Sequence, residues 1–268
     1  MTLPPSTDDP PRWRSCARQA GFWYFCTWPL GVGALWAWSP KAALGHFAGT
    51  HVLALYSTLR ANSQIFGRVV RRFATTEREA WITIDDGPFP DDTAALLEVL
   101  ARQGAPATFF LEGARVTSAP ELARRIADAG HTLGNHSHTH PVSRFWALGP
   151  RGARRELEAC SAALRAAADA EPVGFRPPVG MANGFVHLTA RRLGLPVIGW
   201  SARGYDGLDR DPARVTQRLV AQLAPGAILL LHQHPGGGSA AILDRLLTAL
   251  RERGYRCVVP AVERFLAG

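Results

Sequence analysis

Lysine is all but missing from this sequence: Lys41 is the only one, and arginine carries the rest of the basic charge. The net charge of +8 is therefore weak grounds for a nucleic-acid surface. The arginines are spread over Ala-, Gly- and Pro-rich segments, and no nucleic-acid recognition module is visible, so nucleic acid is not expected as a partner. Cysteine is scarce as well. Cys16, Cys26, Cys160 and Cys257 stand far apart without a C-x-x-C pair, which excludes a compact disulfide framework. They read as reduced, mostly buried and without a catalytic role. Charged residues make up only 19% against 47% hydrophobic, so the 268 residues are not those of a disordered chain. They suffice for one large domain or two small ones with a sizeable core.

Charge is absent altogether from residues 20–38, a run of nineteen with Pro29 inside it and Trp and Tyr toward its ends. As a helix it matches the thickness of a bilayer core, and its aromatics suit the interfacial belts. A second uncharged stretch, 42–59, is interrupted by His46, Thr50, His51 and Ser57. Arg12, Arg14 and Arg18 precede the first stretch, Lys41 alone lies between the two, and Arg60, Arg68, Arg71 and Arg72 follow the second. Counted as basic flanks, these imply a transmembrane helical hairpin with both outer ends, and the domain that follows, on the cytoplasmic side of the inner membrane. The lipid bilayer is then a partner. A single anchor at 20–38 would instead place the rest of the chain outside, and an apolar extension on a soluble protein is the third reading. A cleaved signal peptide fits less well, since the run is long, holds a proline and lacks an A-x-A site. Residues 1–11 are Pro-rich and polar and read as disordered.

From residue 79 the texture changes to short β-rich runs alternating with stretches of helical period. The runs are 80–84, 106–111, 131–134, 173–175, 196–200, 226–231 and 255–259. Helices are expected near 91–103, 119–129, 150–169, 185–194, 212–223 and 239–253, with caps such as Asp211 before Pro212 and closing glycines at 130, 194 and 254. Seven β/α units imply a parallel sheet closed or nearly closed into a barrel smaller than a full eight-unit one. The chain divides into a membrane-associated region and linker, 1–78, and a catalytic domain, 79–268.

Reactive groups in such a fold follow the C-terminal ends of strands. There stand Asp85-Asp86-Gly87-Pro88, then Asn135 to His140, Arg176 to Gly180, Ser201 to Asp206, and His232-Gln233-His234. Taken alone, the acidic pair with Gly-Pro also reads as an ordinary turn and the histidines as a polar loop. Taken together, Asp86 with His136 and His140, spaced i and i+4 as on a helical turn, make a three-ligand set that leaves positions open on a divalent ion. His138 should point away from that set, and His234 should sit on a flexible rim.

The motifs TIDDGP (83–88), HSHTH (136–140), RPPVG (176–180), WSARGYD (200–206) and LLH (230–232) resemble, in order and spacing, the polysaccharide deacetylases of carbohydrate esterase family 4, the NodB homology domain. The resemblance covers residues 79–260. It implies an α/β fold, a distorted seven-stranded (β/α) barrel, and hydrolysis of the N-acetyl amide of an amino sugar in a polysaccharide, oligosaccharide or lipid-linked glycan, releasing acetate. It also implies that Asp86, His136 and His140 hold a divalent metal, zinc first, with cobalt, nickel or manganese compatible with mixed ligands. By the same resemblance Asp85 is the general base, paired with Arg176. His232 is the general acid, oriented by Asp206, and the Val179 N–H stabilises the oxyanion. The sequence departs from the family pattern at Val179, commonly aromatic, and at Arg203 and Gly207, commonly an acid and a tryptophan. The catalytic set is complete while the sugar-binding walls differ, which argues against long chitin-like or peptidoglycan chains. The WSARG segment with an apolar N-terminus resembles family variants of surface-glycan or glycolipid assembly, which implies a lipid-linked sugar. The alternatives are a deformylase or other deacylase of a lipid-linked amino sugar, and a non-catalytic glycan-binding protein on the same barrel.

Overall fold

Two long helices come first in the computed structural model, which describes residues 20–267. Helix α1 (Ala20–Trp38) meets α2 (Pro40–Leu59) at Ser39, whose hydroxyl accepts from the Ala42 N–H at 3.4 Å while Pro40 opens the first turn. The two pack side by side as a hairpin. Helix α2 buries Ala43 and Thr50, two turns apart on one face, and exposes Leu44, Val52, Leu53, Leu55, Tyr56 and Leu59. The expected hairpin exists, but its expected crossing of a bilayer does not follow. No helix among the described residues is long and apolar enough to cross a membrane. The physical reason lies in composition: His46, Thr50, His51, Ser57 and Thr58 dilute α2, and four tryptophans, three glycines, Tyr24 and Pro29 dilute α1. The expected disorder of residues 1–11, and Cys16, lie outside the described residues.

Nine strands then form one curled sheet: β1 (Val69–Phe73), β2 (Glu79–Asp85), β3 (Ala107–Leu111), β4 (Thr132–Asn135), β5 (Val197–Ile198), β6 (Ala202–Arg203), β7 (Ala227–His232), β8 (Arg256–Cys257) and β9 (Phe265–Ala267). The order is β4-β3-β2-β7-β1-β5, with β6 beside β7, β8 beside β2 and β9 beside β1. Single-residue bridges from Phe175 to Asn135 and to Val197 span the open side, so the half-barrel closes only there. This corrects the expected seven parallel strands. The run 173–175 contributes only Phe175, whereas β1, β6 and β9 are additional. Strand β1 lies ahead of residue 79 and pairs antiparallel with β7 and β9. Arg71 and Arg72 interrupt its apolar signal, and β6 is two residues inside a polar loop.

Along β2 the side chains alternate, as a pleated strand requires. Ala80, Ile82 and Ile84 join Phe109, Leu111, Leu229 and Leu231 in the layer beneath the helices. Trp81 points the other way, into the barrel with Phe110, Ile198 and Ile228, and its indole N–H donates to the Thr108 hydroxyl at 2.8 Å. Both faces being covered, the strand is buried throughout. The outer layer is α3 (Pro90–Gln103), α4 (Gly113–Ser118), α5 (Pro120–Asp128), α6 (Pro150–Ala168), α7 (Gly184–Arg192), α8 (Pro212–Val220) and α9 (Ser239–Glu252). Helix α9 shows why these form: Ile242, Leu243, Leu246, Leu247 and Leu250 make one buried stripe. Each such side chain taken from water contributes about 1.5–3 kcal/mol. Asp211 caps α8 as its sequence position suggests, accepting from the Arg214 N–H at 2.8 Å. At the N-terminal end of β2, buried Glu79 is held by Arg256 and Arg264.

Candidate active site

Register alone brings the chemical residues to one rim. Strands β2 and β7 pair Asp85 with His232, and β2 and β3 pair Asp85 with Phe110. Strands β3 and β4 pair Leu111 with Asn135, which in turn bridges Phe175. Asp86, Glu112, His136 and Arg176, each one step further along, therefore stand around the C-terminal mouth of the barrel.

Arg176 is fully buried and all three of its guanidinium nitrogens donate. It donates to Asp85 Oδ1 at 2.6 Å, to the Thr83 hydroxyl at 2.8 Å, and to the carbonyls of Ile198 and Gly199 at 3.2 and 2.8 Å. Its plane lies 4.3 Å from the Phe110 ring centroid. Asp85 is thus fixed through Oδ1, with Oδ2 3.8 Å from His136 Nε2.

The loop 136–140 is not the helical turn that its i, i+4 histidines suggested. Ser137 and His140 have positive φ, 67° and 46°, and the segment is strapped to α6. Glu156 accepts from the backbone N–H groups of His138 and Thr139 and from the Thr139 hydroxyl. Asn135 accepts from the Ser137 N–H and donates to Leu157 O and Ser161. His136 Nδ1 faces the Arg176 carbonyl at 2.8 Å, which makes Nδ1 a donor and turns Nε2 inward toward Asp86. Nε2 of His136 and Nε2 of His140 lie 3.4 and 3.5 Å from Asp86 Oδ1. Burial and the charge of His136 push His140 down to about 4, so its imidazole is neutral and able to bind a cation. Burial opposes ionisation of Asp86, but the hydrogen bond and charge of His136, with the charge of His232, hold its carboxyl well below the usual range.

Asp86, His136 and His140 are the cluster among the described residues that could hold a metal ion, with their ligand atoms all within 4.8 Å of one another. The fit is close: ligands about 2.1 Å from a tetrahedral ion are separated by about 3.4 Å, which both imidazole–carboxylate distances match.

Opposite Asp85, His232 Nδ1 bonds Asp206 Oδ1 at 2.8 Å, and Asp206 Oδ2 accepts the His232 backbone N–H at 2.7 Å. Burial disfavours the imidazolium, but the hydrogen bond and charge of Asp206, with the charges of Asp85 and Asp86, raise His232 to about 9. Val179 holds φ 50°, costly for a β-branched residue, with Gly180 at 74° beside it. Its neighbours' N–H groups turn back on Pro177 and Pro178, while the Val179 N–H donates to no carbonyl among the described residues. The structure thus brings together all eight residues singled out from the sequence.

Several supports were missed. Gln233, 1% exposed, accepts from Thr93 Oγ1 at 2.7 Å and the Phe89 N–H at 3.3 Å, and its amide reaches the Asp86 carbonyl at 3.4 Å. Its position directly after His232 is the one sequence clue. Glu112, raised first by burial and paired with Arg115 at 2.9 Å, adds a further carboxyl to the rim beside those of Asp85 and Asp86. His234 is buried with its N–H on Asp92, contrary to the expected flexible rim. His138 turns toward Gly113 and Cys160, away from the ligand set. Cys160 is free and buried, with its thiol pushed up to about 12, a packing group without reactivity. Arg203, one of the departures, lies over the rings of Tyr205 and Trp200 at 4.7 and 5.6 Å.

A chitooligosaccharide deacetylase of Bradyrhizobium sp. (strain ANU 289) is 35% identical over 190 residues, 70% of this chain and 85% of that protein. The chain belongs to the polysaccharide deacetylase family. It is a hydrolase of the sugar N-deacetylase class, carbohydrate esterase family 4. The family's model, described as polysaccharide deacetylase, matches residues 73–198, which include every motif residue up to Val179 and stop before Asp206 and His232. The peptidoglycan-N-acetylglucosamine deacetylase PgdA of Listeria monocytogenes (strain 10403S) is 34% identical over 189 residues, 69% of this chain and 38% of that longer protein. Among solved structures, a family 4 pseudoenzyme from Bacillus anthracis superposes with a TM-score of 0.65 at 30% identity, over 70% of this chain and 65% of that one.

Proposed function

We propose that this deacetylase hydrolyses the N-acetyl amide of N-acetylglucosamine-type residues in an oligosaccharide, polysaccharide or lipid-linked glycan, releasing acetate. The names of its relatives supply the sugar class. The observation that carries the reaction is the Asp85–His232 pairing across β2 and β7, with each group held by its own buried partner, Arg176 and Asp206.

Asp86, His136 and His140 would hold a divalent cation, zinc first, with cobalt, nickel or manganese compatible with the same donors. When bound, the cation supplies Lewis acidity, polarising the amide carbonyl and lowering the pKa of water. Asp85, immobilised through Oδ1, takes the proton of the attacking water on Oδ2. The stiff Pro177-Pro178 segment presents the Val179 N–H to the oxyanion with little reorganisation. His232, protonated and held by Asp206 through Nδ1, donates from Nε2 to the departing amine as the C–N bond breaks.

The test is acetate release from N-acetylchitooligosaccharides. Asp85→Ala and His136→Ala should abolish it in proteins that remain folded by circular dichroism, and undiminished release would refute the assignment. Identifying the acid set free separates acetyl from formyl removal. Saturable glycan binding without any acid released would instead favour the non-catalytic reading that the pseudoenzyme's likeness raises.

A further inference from the structure

The base of the hairpin is fastened to the active-site mouth. Asn62, in the turn after α2, donates to the Trp200 carbonyl at 3.0 Å and faces the Trp200 N–H at 3.4 Å. Trp200 follows Gly199, whose carbonyl receives Arg176. Ala61 lies so close to Gly180, the neighbour of Val179, that a side chain there would fall 2.8 Å from it. Beyond this base, α2 carries exposed Leu44, Val52, Leu53, Leu55 and Leu59. At 100° per residue these span about half the helix circumference, opposite the face bearing Ala43 and Thr50. Leu30, Trp36 and Trp38 of α1 are exposed too, Trp38 at 80%. A helix pair with so wide an exposed apolar face fits a surrounding apolar medium better than one flat protein partner.

On the barrel the exposed large apolar side chains other than Leu193 stand in the segments that follow the C-terminal ends of strands, around the mouth. Val142 and Trp146 follow His140, Phe185 follows the Val179 loop, and Tyr205 and Leu208 follow β6. Charge follows the same division. Between residues 10 and 76 there is no aspartate or glutamate, only Lys41 and seven arginines, which equals the whole net charge of +8. Within the hairpin only Lys41 is charged, and the arginines flank it in sequence; a second copy of such basic flanks would be repelled, and an anionic surface attracted.

We propose that the hairpin seats in an anionic lipid bilayer and holds the catalytic mouth against its surface, so that N-acylated amino-sugar glycans carried on that bilayer are the substrates served. The substrate half of this proposal rests on the deacetylase reading above. The surface supplies a high local concentration of substrate, and the hairpin's base fixes the mouth toward it.

The full chain is sedimented with phosphatidylcholine vesicles, with and without phosphatidylglycerol. It should pellet with the phosphatidylglycerol-containing vesicles and be released by salt. A Val52→Glu, Leu53→Glu, Leu55→Glu variant should stay in the supernatant, yet release acetate from soluble N-acetylchitooligosaccharide at the parent rate. On an N-acetylglucosaminyl lipid in those vesicles, the parent should be faster than the variant by about tenfold or more. Failure to pellet, equal pelleting of the variant, or self-association abolished by the glutamates without vesicle binding overturns the seating. Equal rates of the two proteins on the lipid overturn the substrate half. Absence of acetate from every substrate defeats the deacetylase reading while sedimentation still decides the seating.

Discussion

Replacing Arg176 by methionine should cost far more stability than replacing its partner Asp85 by asparagine. With Arg176 gone, a carboxylate 3% exposed has lost its only cation within hydrogen-bond reach, and breaking such a buried pair costs about 3–5 kcal/mol. The carbonyls of Ile198 and Gly199 and the Thr83 hydroxyl lose a donor too, about 1 kcal/mol or more for each group left unsatisfied. With Asp85→Asn, by contrast, the buried guanidinium loses its counter-charge but keeps those three acceptors and an amide oxygen in place of the carboxylate, so the loss stays at the low end, about 3 kcal/mol. The double variant, having no uncompensated charge, should be more stable than the sum of the two losses by about 1–3 kcal/mol. Urea unfolding followed by tryptophan fluorescence measures all four proteins, with Trp81 inside the barrel as reporter. Arg176→Lys, which retains charge without the planar fork, gives a milder loss if the methionine variant does not fold. Equal costs for the two single changes, or additivity within about 0.5 kcal/mol in the double, would refute the reasoning.

Asp206→Asn should lower the His232 pKa from about 9 toward the ordinary value near 6.5, a loss of roughly 3 kcal/mol of imidazolium stabilisation, and draw the basic limb of the activity–pH profile down with it. Because the folded pKa is the higher one, the stability His232 contributes is complete below about pH 6.5 and lost as pH rises through about 9. Unfolding free energies of parent and variant should therefore differ most in acid and converge in base, and a constant gap would count against the coupling. Gln233→Ala removes the support of the Asp86 carbonyl and of the Phe89 N–H, and should weaken metal affinity by about 10–100-fold with the fold retained. Competition with a chelator reads this directly, and unchanged affinity would reduce Gln233 to a packing residue.

The helices were legible because each needs only its own 3.6-residue stripe, as α9 illustrates, and the interior strands because their runs are apolar on both faces. Strands β1 and β6 were not, since β1 carries two arginines and β6 is defined only by its neighbour β7. The reactive residues could be read because Asp85, Arg176 and His232 each stand one step beyond an apolar run and the others in the polar loops that follow such runs. Their supports could not: Gln233 and Asp86 are 147 positions apart, and nothing local to either announces the other. Gly134 is a case in point. In the sequence it looks like the closing glycine of a run, yet it faces Phe110, whose ring a side chain there would strike at 2.4 Å. That ring lies under Arg176, so the absence of a side chain at Gly134 is felt at Asp85.

The same reasoning explains why the histidine loop was misread as a helical turn. Among the described residues seven non-glycine residues have positive φ, and five of them, Asp86, Ser137, His140, Val179 and Tyr205, lie in the loops at the mouth. Each costs on the order of 1–2 kcal/mol relative to a residue in its preferred region. Glycine would relieve that strain at every one, but Asp86 and His140 must present a carboxylate and an imidazole from those backbones. The strain is tolerated because Glu156, Asn135 and Gln233 fasten the loops from behind. Local propensity therefore fails where the chemistry demands a side chain on a backbone that favours none. The cluster of such violations marks the mouth independently of any motif.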